Sequence, residues 1–379
     1  MENDKLRIMY FVQSLGKGGA ERLILDICDE LNNRTNVEYL LVSFSKLNEY
    51  VNLSQNIRWI YVDAQISLSL LRKNKVKIQA LQDVISEFKP NIIHSNVYVC
   101  ELLTREIILP NVKYFSHCHN NMPEFASFTF KTLLSKQLLT KWYEKKRIEI
   151  RYKQCNNKFI AISNDTYTYF KKNLTKSLSQ NITILPNAIN YNKFINNGIK
   201  NISDKLNLIM IGHMADYKNQ TFLIDVLEIL KSKGLDVHLT LIGDWRENGE
   251  KILQKAQQKG LSGCLLMPGM VEDVESYLFD QHIYVHSAYY EPFGLVILEA
   301  MASGLPVVCL DGGGNRDIIE NGKNGFIIKE LNPITFADKI INLSTNQNVY
   351  NSMSLYAKEY AKKFDIKEYV DTLLKLYLI

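Results

Sequence analysis

Tyr290-Glu291-Pro292-Phe293-Gly294-Leu295-Val296-Ile297-Leu298-Glu299-Ala300-Met301-Ala302-Ser303-Gly304-Leu305-Pro306-Val307-Val308 reads as a strand exit, a turn, the start of a helix and a second apolar strand. Pro292 has no backbone N–H to donate and suits the segment just before a helix. Gly294 lets the backbone approach a ligand with no Cβ in the way. The first helical amides, near Gly294 and Leu295, have no partner inside the helix, and the dipole there favours an anion such as a phosphate. Glu291 lies in the turn and Glu299 more than a turn into the helix. The two carboxylates can therefore face one cleft from different heights, one reaching a sugar and the other the ribose of a bound nucleotide.

Glu291 and Glu299, with seven residues between them and set in the context 293–308, resemble the E-x7-E signature of the retaining glycosyltransferases of family 4. The resemblance implies an α/β chain of the GT-B fold: two Rossmann-like doubly wound domains facing across a cleft, with the C-terminal helix crossing back to the first domain. Residues 1–190, joined by the helix 365–379, would form the acceptor-binding domain. Residues 191–364 would bind the nucleotide-sugar.

Composition agrees with such a chain. At 379 residues the polypeptide exceeds the size at which one core usually divides. Its 46% hydrophobic and 22% charged residues are those of a soluble globular protein. No run approaches twenty apolar residues, and no signal peptide is expected at the start. Cys28, Cys100, Cys118, Cys155, Cys264 and Cys309 are scattered without a C-x-x-C pair, as expected of reduced thiols in a cytosol. His117-Cys118-His119 lacks a further ligand at zinc spacing, and the chain has no Asp-x-Asp clamp, so neither a metal nor another cofactor is expected. The net charge of +5 is unevenly placed. Residues 1–190 hold 26 Lys and Arg against 17 Asp and Glu, and the remainder 19 against 23, which suggests different partners for the two halves.

Strand-like runs at 6–12, 37–44, 57–62, 91–95, 112–117, 158–163 and 182–185 alternate with helical patterns, including one over 75–89. That alternation predicts a parallel doubly wound sheet with ligands beyond the carboxyl ends of its strands. The loop Gly16-Lys17-Gly18-Gly19 opens a βαβ unit but is neither a Walker A loop nor a dinucleotide fingerprint. The family resemblance implies that Gly18 and Gly19 let this loop approach the donor phosphates and the acceptor. His119 falls at a strand end. The resemblance implies that it, rather than His117, donates to the transferred sugar and bonds its 6-hydroxyl. Residues 130–153 are basic, with Lys131, Lys136, Lys141, Lys145, Lys146, Arg147, Arg151 and Lys153 interleaved with Phe130, Leu133, Leu134, Leu138, Leu139, Trp142 and Tyr143. Such a helix suits either an anionic membrane surface or a solvated face docked on its own sheet. No motif supports nucleic acid as a partner.

Pro186-Asn187-Ala188-Ile189-Asn190 resembles the family's exit from the first domain, and the polar run 192–205 reads as a linker. In 212–220, Lys218 stands where the family has a lysine, whereas His213 replaces the usual arginine. That exchange trades a permanent charge in a rigid fork for a single, pH-dependent donor. The resemblance further implies donor binding by Gly212, His213, Lys218, Glu291, Phe293, Gly294, Leu295, Val296 and Glu299. His119, Glu291 and Lys218 would act at the reacting sugar, with no protein nucleophile. The implied partners are a nucleotide diphosphate sugar (UDP or GDP) and a hydroxyl of a glycan or lipid-linked acceptor in bacterial surface polysaccharide assembly. A cytoplasmic enzyme, peripheral on the inner face of the membrane, is expected. An inactive homologue that binds a glycan or partner remains open, with His213 favouring it. A nicotinamide enzyme would need a G-x-G-x-x-G turn that the chain lacks.

Overall fold

The structure is a computed structural model and describes residues 5–70, 73–126, 128–129, 135–196, 198, 200, 202 and 205–379. The chain divides into two compact units: Met1–Asn187 with Ile366–Ile379, and Ala188–Asp365.

The first unit carries a seven-stranded parallel sheet. Its strands run across the sheet as Trp59–Tyr61, Val37–Ser43, Leu6–Val12, Ile92–Ser95, Lys113–Cys118, Lys158–Ala161 and Ile182–Ile184. Ile8 to Val12 are at most 1% exposed. This is the continuous apolar run that a strand covered on both faces requires. The second unit has six parallel strands in the order Leu265–Gly269, Asp236–Ile242, Lys205–Ile211, Ile283–His286, Val307–Leu310 and Gly325–Ile328. Counted in chain order this is 3-2-1-4-5-6, the doubly wound arrangement. In each unit the order reverses beside the first strand, at Leu6–Val12 against Ile92–Ser95 and at Lys205–Ile211 against Ile283–His286. The crevice at such a reversal is where open α/β sheets bind ligands.

The C-terminal helix Ile366–Leu378 belongs to the first unit. Val370 and Leu373 are buried, Arg34 pairs with Asp371 at 2.9 Å, and the Lys113 ammonium donates to the carbonyls of Tyr377 and Leu378 at 3.0 and 2.9 Å.

One expectation needs correction. The helix anticipated over 75–89 begins only at Gln79 and runs to Phe88, while Lys75–Lys77 is a strand paired antiparallel with Gln65–Ser67. Lys75-Val76-Lys77 alternates with a period of two, and its central Val76 lies opposite Ile66, so local pairing prevails over helix propensity there. The basic segment forms a helix at Lys136–Gln154, and 130–134 lie outside the described residues. Its cations are largely committed within the unit. Lys145 is buried and donates to the Phe125 carbonyl at 2.8 Å; Arg147 and Arg151 both grip Glu106. Leu138, Lys146, Ile150 and Lys153 remain exposed. The linker also has structure of its own: Tyr191–Phe194 is a short helix, and the Phe194 carbonyl accepts from the Ser303 hydroxyl at 3.0 Å.

Candidate functional site

In the second unit the strand Lys205–Ile211 runs out into Gly212 and the turn Asp216–Lys218, just before the helix Gln220–Ser232. The neighbouring strand Ile283–His286 runs out into the loop that carries Glu291. Two bonds tie these loops together: Ser287 donates its hydroxyl to the Lys218 carbonyl at 2.9 Å, and the Tyr289 amide donates to the Tyr217 carbonyl at 2.8 Å. Lys218 is thereby aimed at Glu291. Its ammonium donates to Glu291 Oε2 at 2.7 Å, and the His286 Nε2 lies 3.0 Å from the same oxygen. Both acid and amine are mostly buried, at 9% and 14% side-chain exposure.

The electrostatics of this trio have a clear sign. Burial opposes ionisation of Glu291, but the Lys218 charge and the His286 hydrogen bond outweigh it and hold the carboxyl well below its usual range. Burial also dominates at His286 and lowers its pKa, despite the pull of Glu291. His286 is therefore a neutral imidazole that donates through Nε2 to a carboxylate. The Tyr284 phenol, two residues back on the same strand face, is 0% exposed. Burial first, and then the charges of Glu291 and Glu299, raise its pKa well above the ordinary value.

The signature helix is Leu295–Ala302, capped by Gly294 in the left-handed region at φ 105°. A Cβ there would be strained by the backbone and would lie 2.8 Å from Ile297 Cδ1. The amides of Leu295 and Val296 open this helix beside Glu291 and have no acceptor inside it. Glu299 is partly exposed, one further turn along. Phe293 is different. Its ring is 1% exposed and sits edge-on to Phe364, so any contribution to a ligand comes from its backbone. The turn Gly312-Gly313-Gly314 holds the loop from behind: the Glu291 amide donates to the Gly312 carbonyl at 2.8 Å, and Gly314 returns a bond to the Glu291 carbonyl at 2.9 Å. A Cβ on Gly314 would sit 1.9 Å from the Pro292 carbonyl oxygen, so this close approach requires glycine.

Gly212 lies against the Lys218 side chain, 3.6 Å from its Cε if a Cβ were added. His213 presents its carbonyl to Gln220 Nε2 at 2.9 Å, close to the Lys218 loop.

In the first unit, His119 follows the strand Lys113–Cys118 and is partly exposed, with its Nε2 3.1 Å from Asn96 Oδ1. Burial pushes its pKa down to about 3, so it is neutral at physiological pH. His117 is instead a core residue, 0% exposed, within a chain of His94, Tyr377, Tyr10 and Tyr369. Gly19 begins the helix Gly19–Leu31. Gly18 has φ −152°, which any residue adopts, and the Glu21 carboxylate lies against it. A phosphate approaching this helix start would therefore meet a resident carboxyl.

The matches with known proteins join these two halves. A family model described as Glycosyl transferases group 1 matches residues 192–360, and one described as Glycosyltransferase Family 4 matches residues 17–193. The chain belongs to the glycosyltransferases of family 4. It is 24% identical over 380 residues to an Escherichia coli UDP-Gal:alpha-D-GlcNAc-diphosphoundecaprenol alpha-1,3-galactosyltransferase, covering 95% of this chain and 93% of that one. It is 28% identical over 245 residues to an uncharacterized glycosyltransferase of Methanocaldococcus jannaschii, covering 64% of this chain and 66% of that one. Among solved structures, Anabaena HepE in complex with UDP-glucose superposes with a TM-score of 0.77 at 20% identity, over 97% of this chain and 99% of that one. The fold is GT-B, as the signature implied. As a family 4 member the chain is a glycosyltransferase that draws on a nucleotide-sugar donor.

Two residues of this glycosyltransferase escaped the reading of the sequence. His286 stands five positions before Glu291 on a buried strand, and Asn96 follows the strand beside the reversal of the first sheet. For Asn96 the position at a strand's carboxyl end was the available signal. For His286 it was a polar residue ending an otherwise apolar strand.

Proposed function

We propose that this glycosyltransferase moves a hexose-type sugar, with retention at the anomeric carbon, from a UDP- or GDP-sugar to a hydroxyl of a glycan or lipid-linked acceptor in bacterial surface polysaccharide synthesis. The observation that carries the reading is the Lys218–Glu291–His286 cluster beside the amino end of the signature helix. As the sugar departs, negative charge develops on the diphosphate, and preorganised donors at that point lower the barrier. Lys218 has three N–H donors, one of them on Glu291, and the Leu295 and Val296 amides add two more. Glu299 would bind the ribose hydroxyls and Glu291 the sugar hydroxyls, with His119 bonding the sugar's 6-hydroxyl. The name of the Escherichia coli relative, a galactosyltransferase acting on a diphosphoundecaprenol-linked sugar, supports the choice of a lipid-linked acceptor.

The chemistry proposed needs no metal, because Lys218 and the helix amides supply the positive field. The enzyme would work in the cytoplasm. Its contact with the anionic inner membrane face would run through Leu138, Lys146, Ile150 and Lys153, which are exposed on the helix Lys136–Gln154. Incubation with radiolabelled UDP-galactose, UDP-glucose, UDP-N-acetylglucosamine and GDP-mannose and with undecaprenyl diphosphate-linked N-acetylglucosamine should give a labelled lipid with one donor. The product should be an α-glycoside by NMR, and EDTA should not change the rate. An inverted linkage would remove the retaining mechanism, and loss of activity in EDTA the metal-free one. Absence of transfer and of hydrolysis with every donor would favour an inactive homologue.

A further inference from the structure

Asn96 is 1% exposed and is clamped to the end of the first strand. Its backbone amide donates to the Phe11 carbonyl at 3.0 Å, and its side-chain amide nitrogen donates to the same oxygen at 3.1 Å. A carbonyl oxygen only accepts, so the group facing Phe11 must be the NH₂ and the group facing His119 must be Oδ1. That oxygen lies 3.1 Å from His119 Nε2 and has no proton to give. The proton in this bond therefore belongs to His119 Nε2. A neutral imidazole carries one N–H, so Nδ1 keeps its lone pair.

The ring beneath reinforces the arrangement. His117 stacks on His119 at 4.0 Å between centroids, tilted by 33°. Its own nitrogens are spoken for. Tyr377 donates to Tyr10 at 3.2 Å, so its oxygen accepts from His94 Nδ1 at 2.6 Å. His94 Nε2 then accepts from His117 Nδ1 at 3.2 Å, and His117 Nε2 accepts from the Tyr369 hydroxyl at 3.5 Å. His117 thus gives His119 a surface to stack on and no proton.

We propose that Asn96 is a positioning residue that holds His119 as the Nε2–H tautomer, so that His119 meets its sugar hydroxyl through Nδ1 as a hydrogen-bond acceptor. The sugar hydroxyl as partner rests on the function proposed above; the tautomer does not. The consequence is a selection rule. The group recognised at His119 must carry a proton to donate, so a hydroxyl fits and an ether or carbonyl oxygen does not.

The test is spectroscopic. Long-range ¹H–¹⁵N correlation of the [¹⁵N]histidine-labelled full chain at pH 7, with His119 assigned by its loss in His119→Gln, should show protonated Nε2 and bare Nδ1. An Nδ1–H form, an exchange average or an imidazolium at His119 overturns the inference without any variant of Asn96. Asn96→Leu should release the ring to a mixture of tautomers and lower kcat/KM roughly five- to ten-fold, the loss of one neutral hydrogen bond's positioning. A single Nε2–H tautomer retained in Asn96→Leu also overturns it. Titration with UDP in the same samples separates the two readings. Repeating it with GDP covers both donors: an Nε2–H tautomer with neither nucleotide bound sinks the donor-site assignment alone, and binding of either nucleotide with Nδ1–H sinks this inference alone.

Discussion

The two units place polar groups at the carboxyl ends of strands at or next to the reversal of strand order, yet with opposite electrostatics. In the second unit Lys218 and Glu291 form a buried ion pair at 2.7 Å, supported by a neutral His286. In the first unit His119 and Asn96 meet as two neutral groups at 3.1 Å, above a histidine–tyrosine chain that carries no charge. On the function proposed above, the difference matches each unit to a different kind of chemical group. Permanent charge suits a diphosphate, whose own charge is permanent. A neutral imidazole of fixed tautomer suits a sugar, which offers only hydroxyls and is told apart by direction rather than by charge.

Removing charge from the ionic half should have the largest effect. Lys218→Met leaves Glu291 as a buried carboxylate without its cation and should destabilise the second unit by about 3–5 kcal/mol. Adding Glu291→Gln should recover much of that loss. Chemical denaturation followed by hydrogen exchange in each unit measures both, and an equal loss in the first unit would break the contrast.

Acid should strike the neutral half. Burial lowers the pKa of His94 and His117 well below the usual 6.5 and that of His119 to about 3, so between these values the unfolded chain binds protons that the folded chain does not. Their contribution is complete above pH 6.5 and is lost as the pH falls, at about 1.4 kcal/mol per pH unit for each group. The depressed Glu291 carboxyl has the opposite range: its contribution is lost only below the ordinary carboxylate pKa near 4.5. His282 and His286 in the second unit are also lowered, chiefly by burial, so that unit weakens too. In the first unit burial also raises the carboxyls of Glu21, Glu101 and Glu144, which take up protons in the folded state and offset part of the loss. The direct check is therefore on the rings themselves: from pH 7 to 5 the folded protein should keep His94, His117 and His119 neutral by ¹⁵N chemical shift, and an imidazolium at any of them would contradict the account.

A smaller effect should come from the tyrosine that ties the C-terminal helix to this chain. Tyr377→Phe removes the partner of His94 at 2.6 Å and of Tyr10 at 3.2 Å. It should cost about 1–3 kcal/mol, because it leaves buried partners unmatched. Thermal denaturation checks it, and an unchanged Tm would show the network to be incidental.

What was legible beforehand follows the same divide. Glu291, Glu299 and the Gly294 cap were readable because turn, helix start and acids lie within one short stretch whose local chemistry dictates its shape. The alternation of strands and helices was readable because buried parallel strands are apolar throughout. The requirement for glycine at 314 was not, because the atom it avoids, the Pro292 carbonyl oxygen, lies 22 residues away in sequence and reaches it only through the fold. His286 and Asn96 were hidden for a related reason: a lone polar residue gains meaning from the partner that tertiary structure brings to it. The basic helix left two readings open. Its composition was plain, but Glu106, which neutralises Arg147 and Arg151, lies more than forty positions away.

The central claim is that the second unit grips a nucleotide diphosphate at the start of the helix Leu295–Ala302, with Glu299 on the ribose. Calorimetric titration of the wild-type protein and Glu299→Ala with UDP and with GDP tests it most directly. One nucleotide should bind the wild type and lose about 2–4 kcal/mol of affinity in the variant, the cost of a charge-assisted pair of bonds left unmade. Equal affinity in both proteins, or no binding of either nucleotide to the wild type, would contradict it.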